Sequence, residues 1–304
     1  MSTASSRFRR NRLRYLKEKS IELFLLLAAL SAVATTIAIV VILIIESAEF
    51  FKHVSIKEFL TGTEWTPLFE KASYGILPLI AGTLVTAGVA LAVAIPLGVI
   101  IALYLSEFAP HKVRETVKPF LEMLEGVPTI VYGYFALLFV TPLLQATVLP
   151  DLPGFNMLSP GIVIGIMIIP YISSVSEDAM RAVPNYMREG SYAMGATRFQ
   201  TALWVVTPAA ASGIVAAFIL GISRAVGETM VVAVAAGQQP NFTWDPRETA
   251  ATITAYIVQV SMGDLPHASI GYQSIFAAGL VLVLMTLVFN VLGHLARKRF
   301  REVY

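Results

Sequence analysis

The stretch NYMREGSYAMGATRFQTALWVVTPAA, residues 185–210, begins polar and ends apolar, and the passage between the two decides how the chain is folded. Its first part suits a helix, Gly195 interrupts it, and Val205-Val206-Thr207-Pro208 begins ten residues later. Glycine turns a chain through backbone angles that other residues avoid, and proline interrupts a helix from within. The stretch therefore predicts a short exposed helix, a glycine turn, and a second helix that enters an apolar layer before Pro208. A bare connector needs no apolar face. This one carries Tyr186, Met187, Tyr192, Ala193 and Met194 beside its charges, the kind of surface that lays a helix into a partner's groove.

The apolar layer is evident from the rest of the chain. Of 304 residues, 56% are hydrophobic and 14% charged, with a mean hydropathy of +0.72, which belongs to a polytopic membrane protein. A helix needs ~20 apolar residues to cross a bilayer, and six stretches supply them: 22–46, 77–105, 120–144, 159–178, 202–236 and 274–296. The first is too long for a signal-peptide core of ~7–15 residues, so Ala32-Val33-Ala34 is not a cleavage site and the segment is retained. The fold class expected is all-α, with a basic segment at 1–20 and one transmembrane domain over 21–300. The halves show no inverted repeat.

Charge orients the spans. Arg7, Arg9, Arg10, Arg12, Arg14, Lys17 and Lys19 open the chain, and Arg297, Lys298, Arg299 and Arg301 close it. With Lys112, Arg114, Lys118, Arg181, Arg188 and Arg198, seventeen of the 22 basic residues fall on the side of the termini and four on the other. That bias predicts cytoplasmic termini in a prokaryotic plasma membrane, and reads the N-terminal cluster as a membrane flank rather than a nucleic-acid arm. With no cysteine and four histidines lacking metal-ligand spacing, no thiolate or metal site is expected. Of the external segments, 47–75 is expected to hold a short helix lying along the membrane, and 145–158 a turn-rich loop. Segment 237–273 carries a packing stripe, Ile253, Tyr256, Ile257 and Val260, at helical spacing.

The 185–210 stretch resembles the EAA loop of ABC-importer permeases: Glu189, Gly190, Ser191, Gly195, Val205 and Pro208 fit its spacing, with Gly190 and Ser191 in place of two alanines and Thr207 in place of a leucine. The resemblance implies a type I (MetI-like) permease fold and makes the loop at about 181–201 the coupling element for a separate ATPase. This chain has no ATPase of its own. GSYAMGAT (190–197) imitates the glycine spacing of a phosphate-binding loop, but Ala196 stands where that loop needs lysine. No cofactor is expected here, ATP and Mg²⁺ belonging to the partner. EGVPTIVYGYFAL (125–137) and SRAVGETMVVAVAAGQQP (223–240) resemble the permease pair of phosphate importers, the second stretch being more similar to the PstC-like member. That resemblance implies a PstA-like permease as heterodimer partner, a PstB-like ATPase dimer and a PstS-like external phosphate-binding protein.

Arg224 is the one basic residue at membrane depth, and an ionisable group there marks a substrate pathway by default. Its planar fork suits phosphate. It also stands four residues before Glu228, so the two can neutralise each other on one helix; the readings are not exclusive. The expectation is that Arg224 and Glu228 line the translocation pathway and pair when no anion is present. Residues 202–236 would make a helix of about 52 Å at ~1.5 Å per residue, too long for one straight crossing, so a tilt, a break near Gly221 or Gly227, or an extension is expected. Glu125 reads as structural, ahead of Pro128, an ordinary helix-start proline; Glu177 and Asp178 read as solvated; Ser173, Ser174 and Thr129 as hydroxyls bonded to neighbouring helices or to their own backbone. The alternatives are a PstA-like sister subunit, a permease for molybdate or sulfate, and an ion-coupled secondary transporter. The last would need internal repeats and several intramembrane acids.

Overall fold

Small residues place the centre of the molecule. The computed structural model describes residues 12–299 apart from 68, 70, 264, 267 and 268. Arg7, Arg9, Arg10, Arg301 and His267 lie outside the described residues. In chain order come α1 (Arg12–Phe50), α2 (Ile56–Thr61), α3 (Leu77–Leu103) with a π-helical turn at Tyr104–Phe108, and α4 (His111–Glu125). Next are α5 (Thr129–Phe135), a second π turn (Ala136–Val140) and α6 (Thr141–Thr147), then α7 (Leu158–Arg181) and α8 (Asn185–Ala193). A third π turn (Ala202–Val206) links α9 (Arg198–Thr201) to α10 (Thr207–Ala209). The chain finishes with α11 (Ala211–Val226), α12 (Met230–Ala235), α13 (Ile253–Ser261) and α14 (Ile270–Arg299).

Between lipid-embedded helices there is little hydrophobic drive, so close approach depends on small side chains. Gly161 and Gly165 of α7 let α3 approach: a Cβ at Gly161 would stand 2.7 Å from the Val89 side chain, and one at Gly165 would stand 2.7 Å from the Ala90 carbonyl. Further along α7, Ile172 packs against Gly98 of α3 and, with Ile168, against Gly221 of α11. α3, α7 and α11 form the centre, α5 packs on α12, and α1 and α14 lie at the periphery.

Five described helical segments are long and apolar enough to cross a membrane, and a sixth if one bent pair counts as a span. Two expected boundaries are corrected. The third span starts at Thr129, not 120, because Gly126-Val127-Pro128 ends α4, a separate helix with no buried residue. The fifth is broken twice: a bend of 71° at Ala210 separates Arg198–Ala209 from α11, and Gly227 ends α11. The break at Gly227 is as expected; Gly221 lies within unbroken helix, and the Ala210 bend was not foreseen.

The sequence Val-Thr-Pro explains two of the π turns. At Thr141-Pro142 and Thr207-Pro208 the proline cannot donate to the turn before it. The threonine N–H reaches back five residues, to Ala136 and Ala202, and its hydroxyl donates to the same carbonyls at 3.1 and 2.9 Å.

On the face opposite α8, Phe50, Val54, Phe59, Trp65 and Tyr74 pack inward. Phe59 of α2 is buried with Phe50, Trp65, Tyr74 and Tyr256 in a network of edge-to-face rings. Ile253, Tyr256 and Val260 of α13 are buried, so the stripe read from the sequence is a packing surface.

Candidate coupling loop and intramembrane arginine

α8 and α9 form a hairpin around Gly195. Gly195 has φ +84°, the left-handed region that glycine enters freely, and its N–H donates to the Tyr192 carbonyl at 2.9 Å. Thr197 then starts α9 with a reciprocal cap: its hydroxyl accepts from the Gln200 N–H at 3.3 Å, and the Gln200 side-chain oxygen Oε1 accepts from the Thr197 N–H at 2.8 Å. Ser191 Oγ and Thr201 Oγ1, 2.9 Å apart, tie the two arms. Glu189 and Gly190 are exposed, Pro208 is exposed, and Val205 is half-buried. Tyr186 and Met194 are 62% and 89% exposed, so these parts of the apolar surface read from the sequence stand free of this chain, whereas Met187 packs inward against the cluster of Val183 and Val206.

α8 is nevertheless held rigidly from behind. Arg188 forms a bidentate pair with Glu107, Nη2 to Oε1 at 2.8 Å and Nε to Oε2 at 3.2 Å. The same guanidinium donates to the carbonyls of Val183 at 2.6 Å and Met180 at 2.9 Å. One side chain thereby fastens α8 to the end of α3 and to the end of α7. Sequence reasoning missed this, counting Arg188 only as an inner charge; the lone acid Glu107 closing an apolar span was the available signal.

Deeper in the molecule, Arg224 and Glu228 are not paired. Gly227 ends α11, so the two side chains no longer share a helix face. Arg224 Cζ lies 5.7 Å from the centre of the Tyr171 ring, a cation–π contact, and its charge sits in the last turn of α11, where the helix dipole favours a cation. Glu228 is buried, and its Oε1 accepts from the Val231 N–H at 3.3 Å at the start of α12. Its carbonyl accepts from Thr254 Oγ1 at 2.7 Å. The expected ion pair is thus replaced by a stacked arginine and a capping glutamate. Among the described residues no group of three His, Asp or Glu could hold a metal ion.

The family pattern described as "Binding-protein-dependent transport system inner membrane component" matches residues 94–302, which takes in the α8–α9 hairpin and Arg224. The chain belongs to this family. Among the relatives of this permease, the "Probable ABC transporter permease protein YqgH" of Bacillus subtilis is 36% identical over 87% of this chain and 85% of its own length. The "Phosphate transport system permease protein PstC" of Haemophilus influenzae is 33% identical over 87% and 88%, and that of Mesorhizobium japonicum 33% over 75% and 74%. Among solved structures, a bacterial ABC transporter involved in the import of the acidic polysaccharide alginate superposes with a TM-score of 0.63 at 18% identity, covering 95% of this chain and all of that one. The MetNI methionine transporter gives 0.54 at 21% identity, over 75% and 95%. These likenesses fix the MetI-like permease fold.

One further expectation is corrected in this permease. Glu177 is not solvated but fully buried, held by Lys118 Nζ of α4 at 2.8 Å and by Arg181 at 3.5 Å. Lys118 also reaches Asp178 at 2.7 Å, so α4 is clamped to the end of α7. Desolvation lowers the Lys118 pKa, but the hydrogen bonds to Asp178 and Glu177 outweigh it and the net shift is upward. Ser173 donates to its own helix, at the Pro170 carbonyl, as hydroxyls in membrane helices commonly do.

Proposed function

We propose that this permease forms half of the translocation pathway of an ATP-driven inorganic phosphate importer and receives its power stroke through α8. The observation that carries the reading is the braced yet uncovered hairpin: an apolar surface of Tyr186, Tyr192 and Met194 fixed to two spans by Arg188 and presented outward. A surface of that kind suits insertion into a groove on a separate ATPase. ATP and Mg²⁺ are bound by that ATPase, a PstB-like dimer. The other half of the pathway is a PstA-like permease, and a PstS-like protein delivers phosphate at the opposite face. The basic bias supports a cytoplasmic position for both termini.

Phosphate as solute is supported by the PstC relatives and by Arg224, whose guanidinium carries no acid partner among the described residues. Such a group meets a dianion with bidentate hydrogen bonds. Glu228 shapes the turn beside it rather than neutralising it. The YqgH relative, whose name states no solute, keeps a permease for another oxyanion as the second reading.

The test is uptake of labelled phosphate by the four-component complex in vesicles, with molybdate and sulfate as competitors. Arg224→Gln is expected to lower uptake at least about tenfold with assembly intact, a loss equivalent to ~1.4 kcal/mol. Gly195→Trp, bulky and strained at φ +84° but in open space, is expected to release the ATPase while the spans stay folded. Normal uptake in Arg224→Gln removes the pathway role, and full coupling in Gly195→Trp removes the docking role.

A further inference from the structure

The bend at Ala210 turns α9 and α10 away from α11 and leaves a notch between the first turn of α11 and the last turns of α14. The notch has a volume of about 560 Å³ and is lined by Ser212, His294, Arg297 and Lys298. Arg297 Nη2 donates to His294 Nδ1 at 3.4 Å. A guanidinium has no lone pair to offer, so the imidazole accepts there and keeps Nε2–H as a donor. The lining thus offers two permanent cations, an imidazole N–H and a hydroxyl, beside the positive end of the α11 dipole. No acid is among its described residues.

Two observations point to the ligand. Leu284, Leu287, Val288, Val291 and Leu295 form an exposed apolar stripe on α14, and the stripe continues at helical spacing (287, 291, 294, 298) into His294 and Lys298. Val291 and Lys298 are roughly 10 Å apart along the axis, comparable to the ~5–8 Å headgroup layer on each side of a bilayer. In the same region α11 and α14 close on each other: a Cβ at Gly293 would collide with the side chain of Ile219. The notch is therefore a blind recess at the membrane surface and not a stretch of a passage.

We propose that this notch binds the phosphodiester of an anionic phospholipid whose acyl chains lie along the α14 stripe. Arg297 and Lys298 neutralise the phosphate, while Ser212 and His294 Nε2–H donate to its oxygens. The assignment is independent of the transported solute. It differs from the general attraction of basic residues for anionic membranes, which would act equally at Lys112 and Arg114 of α4.

The full-length chain is reconstituted into phosphatidylcholine nanodiscs with and without phosphatidylglycerol, extracted, and the retained lipid measured by native mass spectrometry. Wild type is expected to retain phosphatidylglycerol selectively. Arg297→Gln/Lys298→Gln should lower retention several-fold, and Lys112→Gln/Arg114→Gln should leave it unchanged. Ser212→Trp keeps every charge but fills the recess, and it too should expel the lipid; it carries the test if the double variant fails to insert. Unchanged retention in Ser212→Trp overturns the proposal, as does equal loss in the α4 variant, which would mean a diffuse basic surface. Displacement by millimolar inorganic phosphate would show a soluble-anion site, and loss of the lipid on adding the ATPase would show a protein contact; either result also overturns it.

Discussion

A carboxylate and a guanidinium four residues apart can pair only where one helix runs through both. Gly227 ends α11 between them, and a free N–H at a helix start gains from a nearby acceptor. That break explains why Glu228 serves Val231 and leaves Arg224 to Tyr171. Gln at 228 keeps the acceptor, so Glu228→Gln is expected to assemble and transport close to normally. Arg224→Gln/Glu228→Gln should be as defective as Arg224→Gln alone; recovery of uptake in the double variant would mean that charge balance governs the site. The Lys118 clamp gives a second residue-level test. Lys118→Met strands the buried Glu177 with one distant partner, at a cost on the order of 3 kcal/mol. Because the Lys118 pKa is raised in the folded protein, its contribution is fully present below the unfolded value of ~10.4 and fades as pH rises through the higher folded value. The difference in thermal midpoint between wild type and Lys118→Met, followed against pH in detergent, should be flat through neutrality and shrink only in strong alkali. Neither clamp was legible in the sequence, since Lys118 and Glu177 are 59 residues apart and Glu107 and Arg188 are 81 apart. Local pattern reveals a charge at the end of a span but not the distant residue that neutralises it.

Among the elements, α8 was legible because its features are local: Gly195, the Thr197 cap and the apolar face all lie within one short stretch. What periodicity missed was punctuation inside apolar runs. Gly126-Val127-Pro128 separates the charged α4 from the apolar α5, and Val-Thr-Pro marks a widened turn rather than a stop. The attitude of α8 to the spans is set by Arg188, whose planar fork bonds two carboxylate oxygens and two carbonyls at once. A lysine cannot reproduce that geometry. In the assembled importer, Arg188→Lys and Arg188→Met are expected to hydrolyse ATP while moving several-fold less phosphate per ATP, with faster hydrogen exchange across 185–193. A brace needed only for folding would lower the yield of complex and leave that ratio unchanged.

At the scale of the whole molecule, six apolar tracts were enough to predict an all-α membrane fold, because length and composition alone identify a crossing helix. Which tracts form the centre was not evident, since α3, α7 and α11 are selected by small residues and not by greater hydropathy. α1 shows the reverse case. It is the most apolar of the spans, yet none of its apolar stretch is buried within the chain, and the helix it packs against is α14. About 220 residues separate the end of α1 from the start of α14. At a synthesis rate of ~5–20 residues per second, α1 spends roughly 10–45 s in the membrane before that partner is made. Throughout that interval its apolar stretch depends on lipid. Its leucines and isoleucines are thus a requirement of biosynthesis, keeping a solitary helix inserted until the last one arrives.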